Sequence, residues 1–250
     1  MMQHKPATSF TAAANAALLQ ELNWDDAQDF DLASRGFIAT LDDPAIRSHD
    51  GRLVYDLSAY SFLAEESAPS SVNPSLWRQS RLNANYHGLF KVTDGIFQIR
   101  GFDLSVMSII ETDIGYVVVD PLVTPRTAEA GMELVYQQLG RKPIVAVIYT
   151  HSHIDHWGGV KGVVSRADVQ AGRVKIIAPD HFMEYAISEN VIAGNVMSRR
   201  ASYMYGNLLP KDPTGQVGAG LGQTTSSDVP TLIAPTDFVT HTGQTMVIDG

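Results

Sequence analysis

The chain has 250 residues, enough to bury a sizeable core in one or two domains, and 44% of them are hydrophobic, which is typical of a globular protein and not of a disordered one. The formal net charge is −9 at pH 7, so the surface repels phosphate backbones and anionic lipids, and we expect no nucleic-acid partner. The absence of cysteine excludes disulfides, thiolate metal sites and cysteine nucleophiles.

The first third of the chain predicts helix and loop. Residues 11–22 are rich in alanine and leucine and indicate a short helix. Residues 24–66 combine acidic pairs with short apolar runs, which favours helix and loop. Residues 67–79 carry two prolines and four serines, and they predict an ordered connection outside the core. Within it, Trp77 and Arg78 are candidates for holding the N-terminal segment on the domain.

From residue 91 onward the pattern changes to short β-rich runs. GIFQIRG, SVMSIIE and GYVVVDP each predict a strand between turn residues. Residues 127–140 have apolar side chains at helical spacing and end on Gly140, a plausible C-cap. Residues 143–150, PIVAVIYT, form a nearly continuous apolar run, as in a strand buried on both faces. Strand, helix and buried strand in this order predict an α/β fold.

The last part of the chain predicts one helix and much loop. Residues 181–200 indicate a helix, and residues 208–230 are rich in glycine and proline and indicate a long loop, functional or mobile. Residues 237–250, DFVTHTGQTMVIDG, predict a hairpin whose final strand runs into a turn.

The sequence THSHIDHWGG follows the predicted buried strand and contains His151, His153, Asp155 and His156. Imidazole and carboxylate together suit zinc, and also iron or manganese. In an extended segment alternate residues face the same way, so His151 and His153 can bind one ion. Asp155 and His156 come after a bend and can face a second ion. A polar loop that merely contains histidines is the alternative, but this order of residues at the end of a buried strand favours a metal site.

Other histidines and acids are weaker candidates. His241 lies at an interval that suits a further ligand, although it falls within the predicted hairpin. For the rest, surface, solvated or capping roles are favoured over metal binding: His4, His49, His87, His181 and Glu184.

THSHIDHWGG resembles the metal-binding motif of the metallo-β-lactamase superfamily. Further segments resemble the linear alkylsulfatases of that superfamily, from about Asp29 to the end of the chain: VNPSLWRQ, HGLFKVTDGIFQIRGFDLS, VVVDPLVTPRTAEAG, PIVAVIYTHSHIDHWGGVKGVV and ENVIAGNVMSRRASYMYG. The resemblance implies an αββα sandwich of the metallo-β-lactamase type. We therefore expect a lead-in segment, residues 1–90, packed on a catalytic domain, residues 91–250, that is incomplete at its C-terminal end.

The resemblance also implies a binuclear zinc site, two Zn²⁺ per complete active site. It assigns His151 and His153 to one zinc and Asp155 and His156 to the other, with Asp155 acting together with a metal-bound hydroxide. In the family, two glutamates and a further histidine complete the site from later positions, expected beyond residue 250. Asp120 is expected behind the ligands, where it orients them. The alternative for Asp120 is an ordinary turn residue before Pro121.

The implied activity is hydrolysis of alkyl sulfate esters to an alcohol and inorganic sulfate, with C–O cleavage. The first alternative is hydrolysis of another ester, a thioester or a lactam by the same fold. A catalytically incomplete metal-binding fragment is the second. The sulfate oxygens need hydrogen-bond donors, and arginine is a suitable one. Four residues near the end of the predicted helix are candidates: Arg199, Arg200, Tyr203 and Tyr205. Helical spacing places them on several faces, so structural roles are favoured for each.

The expected partner is a small alkyl sulfate, and the resemblance implies a homodimer formed through a region outside this chain. No stretch approaches the roughly 18 apolar residues of a membrane span. The first residues lack an apolar signal core, so we expect a cytoplasmic protein by default, with a periplasmic or secreted one left open. The preference for primary or secondary esters, the chain length of the substrate and its stereochemistry are not predicted.

Overall fold

The computed structural model describes residues 5–249, and His4 lies outside the described residues. The strands are β1 (Phe37–Ala39), β2 (Ala45–Arg47), β3 (Leu53–Asp56), β4 (Gly88–Thr93), β5 (Ile96–Arg100), β6 (Met107–Glu111), β7 (Tyr116–Val119), β8 (Ile144–Ile148), β9 (Lys175–Pro179) and β10 (Asp237–Val239). The helices are α1 (Ser9–Glu21), α2 (Gln28–Ser34), α3 (Pro74–Asn85), α4 (Pro125–Leu139), α5 (Arg166–Gln170), α6 (Phe182–Ile187) and α7 (Gly194–Tyr205), with a π-helical turn, Ser188–Ile192, after α6.

Eight strands form one mixed sheet in the order β1-β4-β5-β6-β7-β8-β9-β10, and β2 and β3 form a separate antiparallel pair. From β1 to β7 the neighbours are antiparallel, whereas β7, β8, β9 and β10 are parallel. The carboxyl ends of parallel strands meet at one edge of a sheet. The segments that follow β7 and β8 therefore begin side by side.

The two faces of the sheet have separate apolar clusters. The larger cluster joins one face to α4, and it includes Val118 and Val147 from the strands and Leu134 from the helix. On the opposite face, Val117 belongs to a smaller cluster packed against Met246. Because successive residues of β7 point to opposite faces, both of which are buried, the run YVVV is apolar throughout.

Most predictions for the middle of the chain are confirmed. The short strands coincide with β5, β6 and β7, the buried strand with β8, and the helix ending at Gly140 with α4. Gly140 has φ 93°, a left-handed backbone conformation suited to glycine, and its N–H donates to the carbonyl of Tyr136. The α/β class is thereby confirmed. None of the described helices is long and apolar enough to cross a bilayer.

The predicted boundary between residues 1–90 and 91–250 falls inside β4. β1 pairs with β4, so the N-terminal part supplies a strand to the main sheet. Residues 24–66, expected as helix and loop, in fact include β1, β2 and β3. These strands have three or four residues each, too few for a clear alternating pattern.

The expectation that residues 67–79 lie outside the core is wrong. α3 starts at Pro74, where the side chain of Asn73 accepts hydrogen bonds from the first free N–H groups, and it carries Trp77 into a second apolar cluster. The guanidinium of Arg78 makes a bidentate ion pair with Asp29, with contacts of 2.5 and 2.8 Å. This pair fixes α2 on α3, in line with the role expected for Arg78.

The predicted C-terminal hairpin is also wrong. β10 pairs in parallel with β9, and residues 245–249 form no strand. Met246 and Ile248 instead pack on the sheet face as irregular chain, so their apolar character reflects burial and not strand pairing. Residues 208–230 form no helix or strand, as predicted, but they are held by the buried side chains of Gln216 and Gln223.

Replacing Trp77 by alanine is expected to lower the free energy of unfolding by about 3–5 kcal/mol. The indole is 3% exposed, packs on Phe62 with ring centroids 6.1 Å apart, and donates from Nε1 to the carbonyl of Glu65 at 3.1 Å. Urea unfolding followed by circular dichroism measures the change. Phe10→Ala is the control, because this ring is 87% exposed and its loss should cost less than about 0.5 kcal/mol. Equal effects of both variants would contradict the placement of α3.

Candidate functional site

The candidate site begins where the parallel strands β7 and β8 end. Asp120 follows β7, and its N–H donates to the carbonyl of Ile148 at 2.9 Å. Its carboxylate accepts hydrogen bonds from the main-chain N–H of Thr150 at 2.8 Å and from the Thr150 hydroxyl at 2.7 Å. The carboxylate of Asp120 thus joins the first residues after both strands.

Two residues after β7 have unusual backbone conformations. Asp120 has φ 56° and Leu122 has φ 60°, both in the left-handed region that side-chain-bearing residues seldom adopt. Such conformations cost free energy and persist where surrounding contacts enforce them. Here Leu122 is fully buried and Asp120 is only 7% exposed. The segment from Asp120 to Leu122 is therefore firmly held against the neighbouring loop.

Residues 150–159 form the histidine loop. His151 lies near both other histidines, with ring centroids 4.6 Å from His153 and 4.0 Å from His156. A 3₁₀ turn, Ile154–His156, bends the chain, and the N–H of His156 donates to the carbonyl of His153 at 3.0 Å. The loop therefore brings the three predicted imidazoles together.

His156 lies between two carboxylates. Its Nδ1 is 2.8 Å from Asp120 Oδ2, and its Nε2 is 3.3 Å from Asp155 Oδ2. Burial lowers the pKa of this ring, but the hydrogen bonds and charges of Asp120 and Asp155 outweigh burial and raise the pKa of His156 to about 9. For Asp155, burial raises the pKa, but the contact with His156 opposes it and the pKa is lowered. Burial, together with the charges of His156 and His153, lowers the pKa of His151.

Two glycines let the histidine loop touch the segment after β7. A Cβ on Gly159 would lie 1.9 Å from the carbonyl oxygen of Pro121, and one on Gly158 would lie 2.1 Å from that of Val123. The N–H of Gly159 donates to the carbonyl of Leu122 at 3.0 Å. The backbones are therefore too close for any side chain, which explains the pair of glycines at the end of THSHIDHWGG.

A pocket of about 400 Å³ opens beside the histidine loop. One part of its lining is apolar and comes from several segments: Leu104, Val123, Ile154, Met197, Ala201 and Met204. The other part is polar or charged: His153, Asp155, Glu189, Asn190, Ser198, Arg200, Tyr205 and Thr225. The pocket thus combines an apolar wall with one cationic side chain next to the clustered histidines.

Glu189 and Asn190 belong to the site but are absent from the residues expected from the sequence. They lie in the π-helical turn, Ser188–Ile192. Glu189 Oε1 is 3.4 Å from His153 Nε2, and the Asn190 side chain donates to the carbonyl of Ser152 at 3.3 Å. The predicted helix over residues 181–200 is interrupted here by the π-helical turn. The spacing of apolar residues does not reveal such a change in the hydrogen-bond pattern.

The donors of the histidine loop suit zinc in chemical type, since they are imidazole nitrogens and a carboxylate. Asp120 engages Nδ1 of His156, which leaves Nε2 as the nitrogen able to bind an ion. As the side chains stand, no three His, Asp or Glu residues among residues 5–249 converge on one point. Nε2 of His156 instead forms an ion pair with Asp155.

The remaining candidates lie apart from the histidine loop or have local partners. His241 is exposed, and its Nδ1 contacts the hydroxyl of its neighbour Thr240 at 3.2 Å. His181 is exposed and lies 3.3 Å from Glu184, as expected for surface residues. His87 is half-buried against the hydroxyl of Thr40 at 2.8 Å, where burial lowers its pKa.

The arginines and tyrosines of residues 198–205 separate as the helical spacing predicts. Arg200 and Tyr205 line the pocket. Tyr203 is 93% exposed and Arg199 is exposed, and neither lines the pocket. Burial, followed by the charge of Asp155, raises the pKa of Tyr205, so its hydroxyl stays protonated at neutral pH. Of the four candidates, two therefore reach the site.

A family model described as the metallo-beta-lactamase superfamily matches residues 100–249. A linear primary-alkylsulfatase from a Pseudomonas species is 58% identical over 247 residues, which cover 98% of this chain and 36% of that protein. An alkyl/aryl-sulfatase from Saccharomyces cerevisiae is 46% identical over 240 residues, covering 96% of this chain and 37% of that protein.

The solved structure of a stereoselective inverting sec-alkylsulfatase, Pisa1 from a Pseudomonas species, aligns with a TM-score of 0.94 at 44% identity. The alignment covers 100% of this chain and 39% of that one. The chain thus spans a little over a third of the length of these relatives. The expected resemblance and the expected fold family are confirmed. The zinc ions, the homodimer and the cellular compartment stay predictions.

Replacing Gly159 by alanine is expected to destabilise the protein by about 1–3 kcal/mol, because the added methyl group forces the histidine loop away from Pro121. Thermal or urea unfolding measures the loss. Gly194→Ala is the matched control: nothing lies within 4 Å of its added Cβ, and alanine favours the first turn of α7. A Gly159→Ala protein as stable as the control would contradict the close approach.

Proposed function

The chain belongs to the metallo-β-lactamase superfamily, and we propose that the protein hydrolyses alkyl sulfate esters to an alcohol and inorganic sulfate at a metal centre on the histidine loop. One observation carries the proposal: His153, which lies among the clustered imidazoles, and the carboxylate of Asp155 line a pocket that also has an apolar wall and an arginine. An alkyl sulfate has the same two parts, an apolar chain and an anionic head.

We propose two zinc ions, with His151 and His153 holding one and Asp155 and His156 holding the other. When bound, zinc acts as a Lewis acid and makes water a competent nucleophile near neutral pH. Asp120 contacts Nδ1 of His156 at 2.8 Å, which fixes the ring and would leave Nε2 as the nitrogen that binds an ion. A ligand held in one orientation loses little freedom when the ion binds.

The pocket supplies recognition of both parts of the ester. The guanidinium of Arg200 is a suitable donor to the sulfate oxygens, because its planar N–H groups match an oxyanion. Asn190 is held by its bond to the carbonyl of Ala186 at 2.9 Å and faces the same space. Met197 and Met204 have flexible apolar side chains on which an alkyl chain can lie, with about 0.8 kcal/mol gained per buried CH₂.

Attack at carbon, with cleavage of the C–O bond, is the finer part of the proposal. The solved relative is described as inverting. Inversion of a secondary centre follows when water displaces sulfate from the carbon, and it does not follow from attack at sulfur. For this chain, an apolar wall beside the histidine loop would place the carbon of the ester next to the attacking water.

His151→Ala in the full-length gene product is expected to lower sulfate release from a medium-chain alkyl sulfate by more than about 100-fold, since even groups behind metal ligands are worth 10–100-fold. The zinc content per chain should fall as well. Ion chromatography measures sulfate, and atomic absorption measures zinc. His181→Ala is the control, because this histidine is exposed and outside the histidine loop. Sulfate release without zinc, or the same rate in both variants, would rule out the proposed centre.

Hydrolysis in water labelled with ¹⁸O is expected to place the label in the alcohol and not in the sulfate, because attack at carbon breaks the C–O bond. Mass spectrometry of both products measures the label. The unlabelled reaction is the control. Label in the sulfate would show attack at sulfur and leave the metal centre in place with a different mechanism.

A further inference from the structure

Asp103 is a buried carboxylate outside the histidine loop, in the connection between β5 and β6. It is 2% exposed. Its Oδ1 accepts hydrogen bonds from the N–H groups of Leu104 and Ser226, both at 2.9 Å. Its Oδ2 accepts from the hydroxyls of Thr127, at 2.9 Å, and Ser226. The carboxylate is therefore fully hydrogen-bonded by neutral donors.

Asp103 joins three segments that are far apart in sequence. They are its own connection, the first turn of α4 through Thr127, and the long loop 208–230 through Ser226. The hydroxyl of Thr124 extends the network, 2.8 Å from the hydroxyl of Ser226. One buried group thus helps to hold the long loop against the domain.

The neighbours of this network line the pocket. Leu104 follows Asp103 and Thr225 precedes Ser226, and both face the pocket beside the histidine loop. The hydroxyl of Ser105 donates to the main-chain carbonyl of Asp155. Asp103 and Ser226 are therefore each adjacent in sequence to a residue of the pocket wall, and Asp103 lies two residues before Ser105, which contacts the histidine loop.

A buried carboxylate of this kind is costly to the fold. Among the described residues 5–249, the groups that act on the Asp103 carboxylate are the neutral donors of Ser226, Leu104 and Thr127, and its charge in turn acts on the phenol of Tyr55. Burial raises the pKa of Asp103 to about 6, against the hydrogen bonds from Ser226, Leu104 and Thr127. Without the carboxylate, the buried donors of Leu104, Ser226 and Thr127 would lose their acceptor, which is unfavourable. The carboxylate therefore holds these segments together, and two of them continue into the pocket wall.

We propose that Asp103 is a positioning residue of the substrate pocket, whose carboxylate holds the wall segments at Leu104 and Thr225 at a fixed separation. This inference rests on the proposed function for its substrate, an alkyl sulfate. Asp103 itself does not line the pocket beside the histidine loop. Its effect on the reaction passes through the two neighbours that do.

Three variants of the full-length gene product test the proposal. Asp103→Asn removes the charge, and Ser226→Ala removes the hydroxyl donor from the long loop. Thr127→Val is the matched control: it removes a hydroxyl donor from the same carboxylate oxygen, but Thr127 lies in α4 and does not line the pocket. Steady-state kinetics with a medium-chain alkyl sulfate give kcat and KM.

Asp103→Asn and Ser226→Ala are expected to raise KM by about tenfold, the effect of a hydrogen bond to a charged group, with kcat and zinc content nearly unchanged. Thr127→Val should leave KM close to that of the parent. A KM raised equally in Thr127→Val would overturn the proposal, because the effect would then be a general loss of stability. If Asp103→Asn does not fold, the KM of Ser226→Ala compared with that of Thr127→Val tests the proposal in the same way.

A second readout does not depend on substrate. Hydrogen exchange measured by mass spectrometry is expected to be faster over residues 223–230 in Asp103→Asn and Ser226→Ala than in Thr127→Val. Equal exchange in all three variants would overturn the proposal. If the parent protein releases no sulfate from any alkyl sulfate, the proposed function fails, and the exchange rates alone decide the role of Asp103.

Discussion

The carboxylate of Asp120 ties together the two chain segments from which the candidate site is built. Parallel pairing of β7 and β8 brings the ends of both strands to one edge, but it does not fix the residues beyond them. The carboxylate of Asp120 fixes them, because it accepts hydrogen bonds from the N–H and hydroxyl of Thr150 and from Nδ1 of His156. Hydrogen bonds to a charged acceptor are stronger than neutral ones. These hydrogen bonds offset the free-energy cost of the left-handed backbone conformation of Asp120. That conformation places the carboxylate next to the segment after β8.

The remaining contacts of the site depend on close approach of main chains. Gly158 and Gly159 press against the carbonyls of Val123 and Pro121, so the histidine loop and the segment after β7 behave as one surface. The end of the long loop is attached to this surface as well, since the N–H of Thr231, the next residue after the loop, donates to the carbonyl of Gly158 at 2.6 Å. These backbone contacts set the distance between the histidine loop and the segment after β7.

Sequence reasoning succeeded where the signal is local. The apolar run of β8 and the residues THSHIDHWGG predicted both the strand and the cluster after it, and the helical spacing predicted α4. It failed where structure depends on distant partners. β1 has three residues and exists because β4 lies beside it. α3 was missed although Asn73 and Pro74 form a recognisable helix start, because the prolines and serines around it outweighed that signal.

The pocket was the least predictable part of the site. Its wall combines Leu104, Val123, Met197 and Thr225, which no spacing rule relates to one another. Arg200 and Tyr205 were among the candidates, but only the three-dimensional arrangement separated them from Arg199 and Tyr203. Glu189 was not found at all, because it depends on a π-helical turn that apolar periodicity does not reveal.

That turn also has an evolutionary consequence. The N–H of Ala193 donates to the carbonyl of Ser188, five residues earlier, so the turn contains one residue more than an α-helical turn. Ala193, with φ −93° and ψ 4°, lies outside the helical conformation and precedes the first residue of α7, so α7 begins as a separate helix. Phe182 and Ala186 before the turn remain in the core, whereas Met197 and Arg200 after it face the pocket. Because each residue of an α-helix rotates the chain by about 100°, gain or loss of one codon within residues 188–192 would change which side chains of α7 face the pocket, while Phe182 and Ala186 before the turn keep their place in the core.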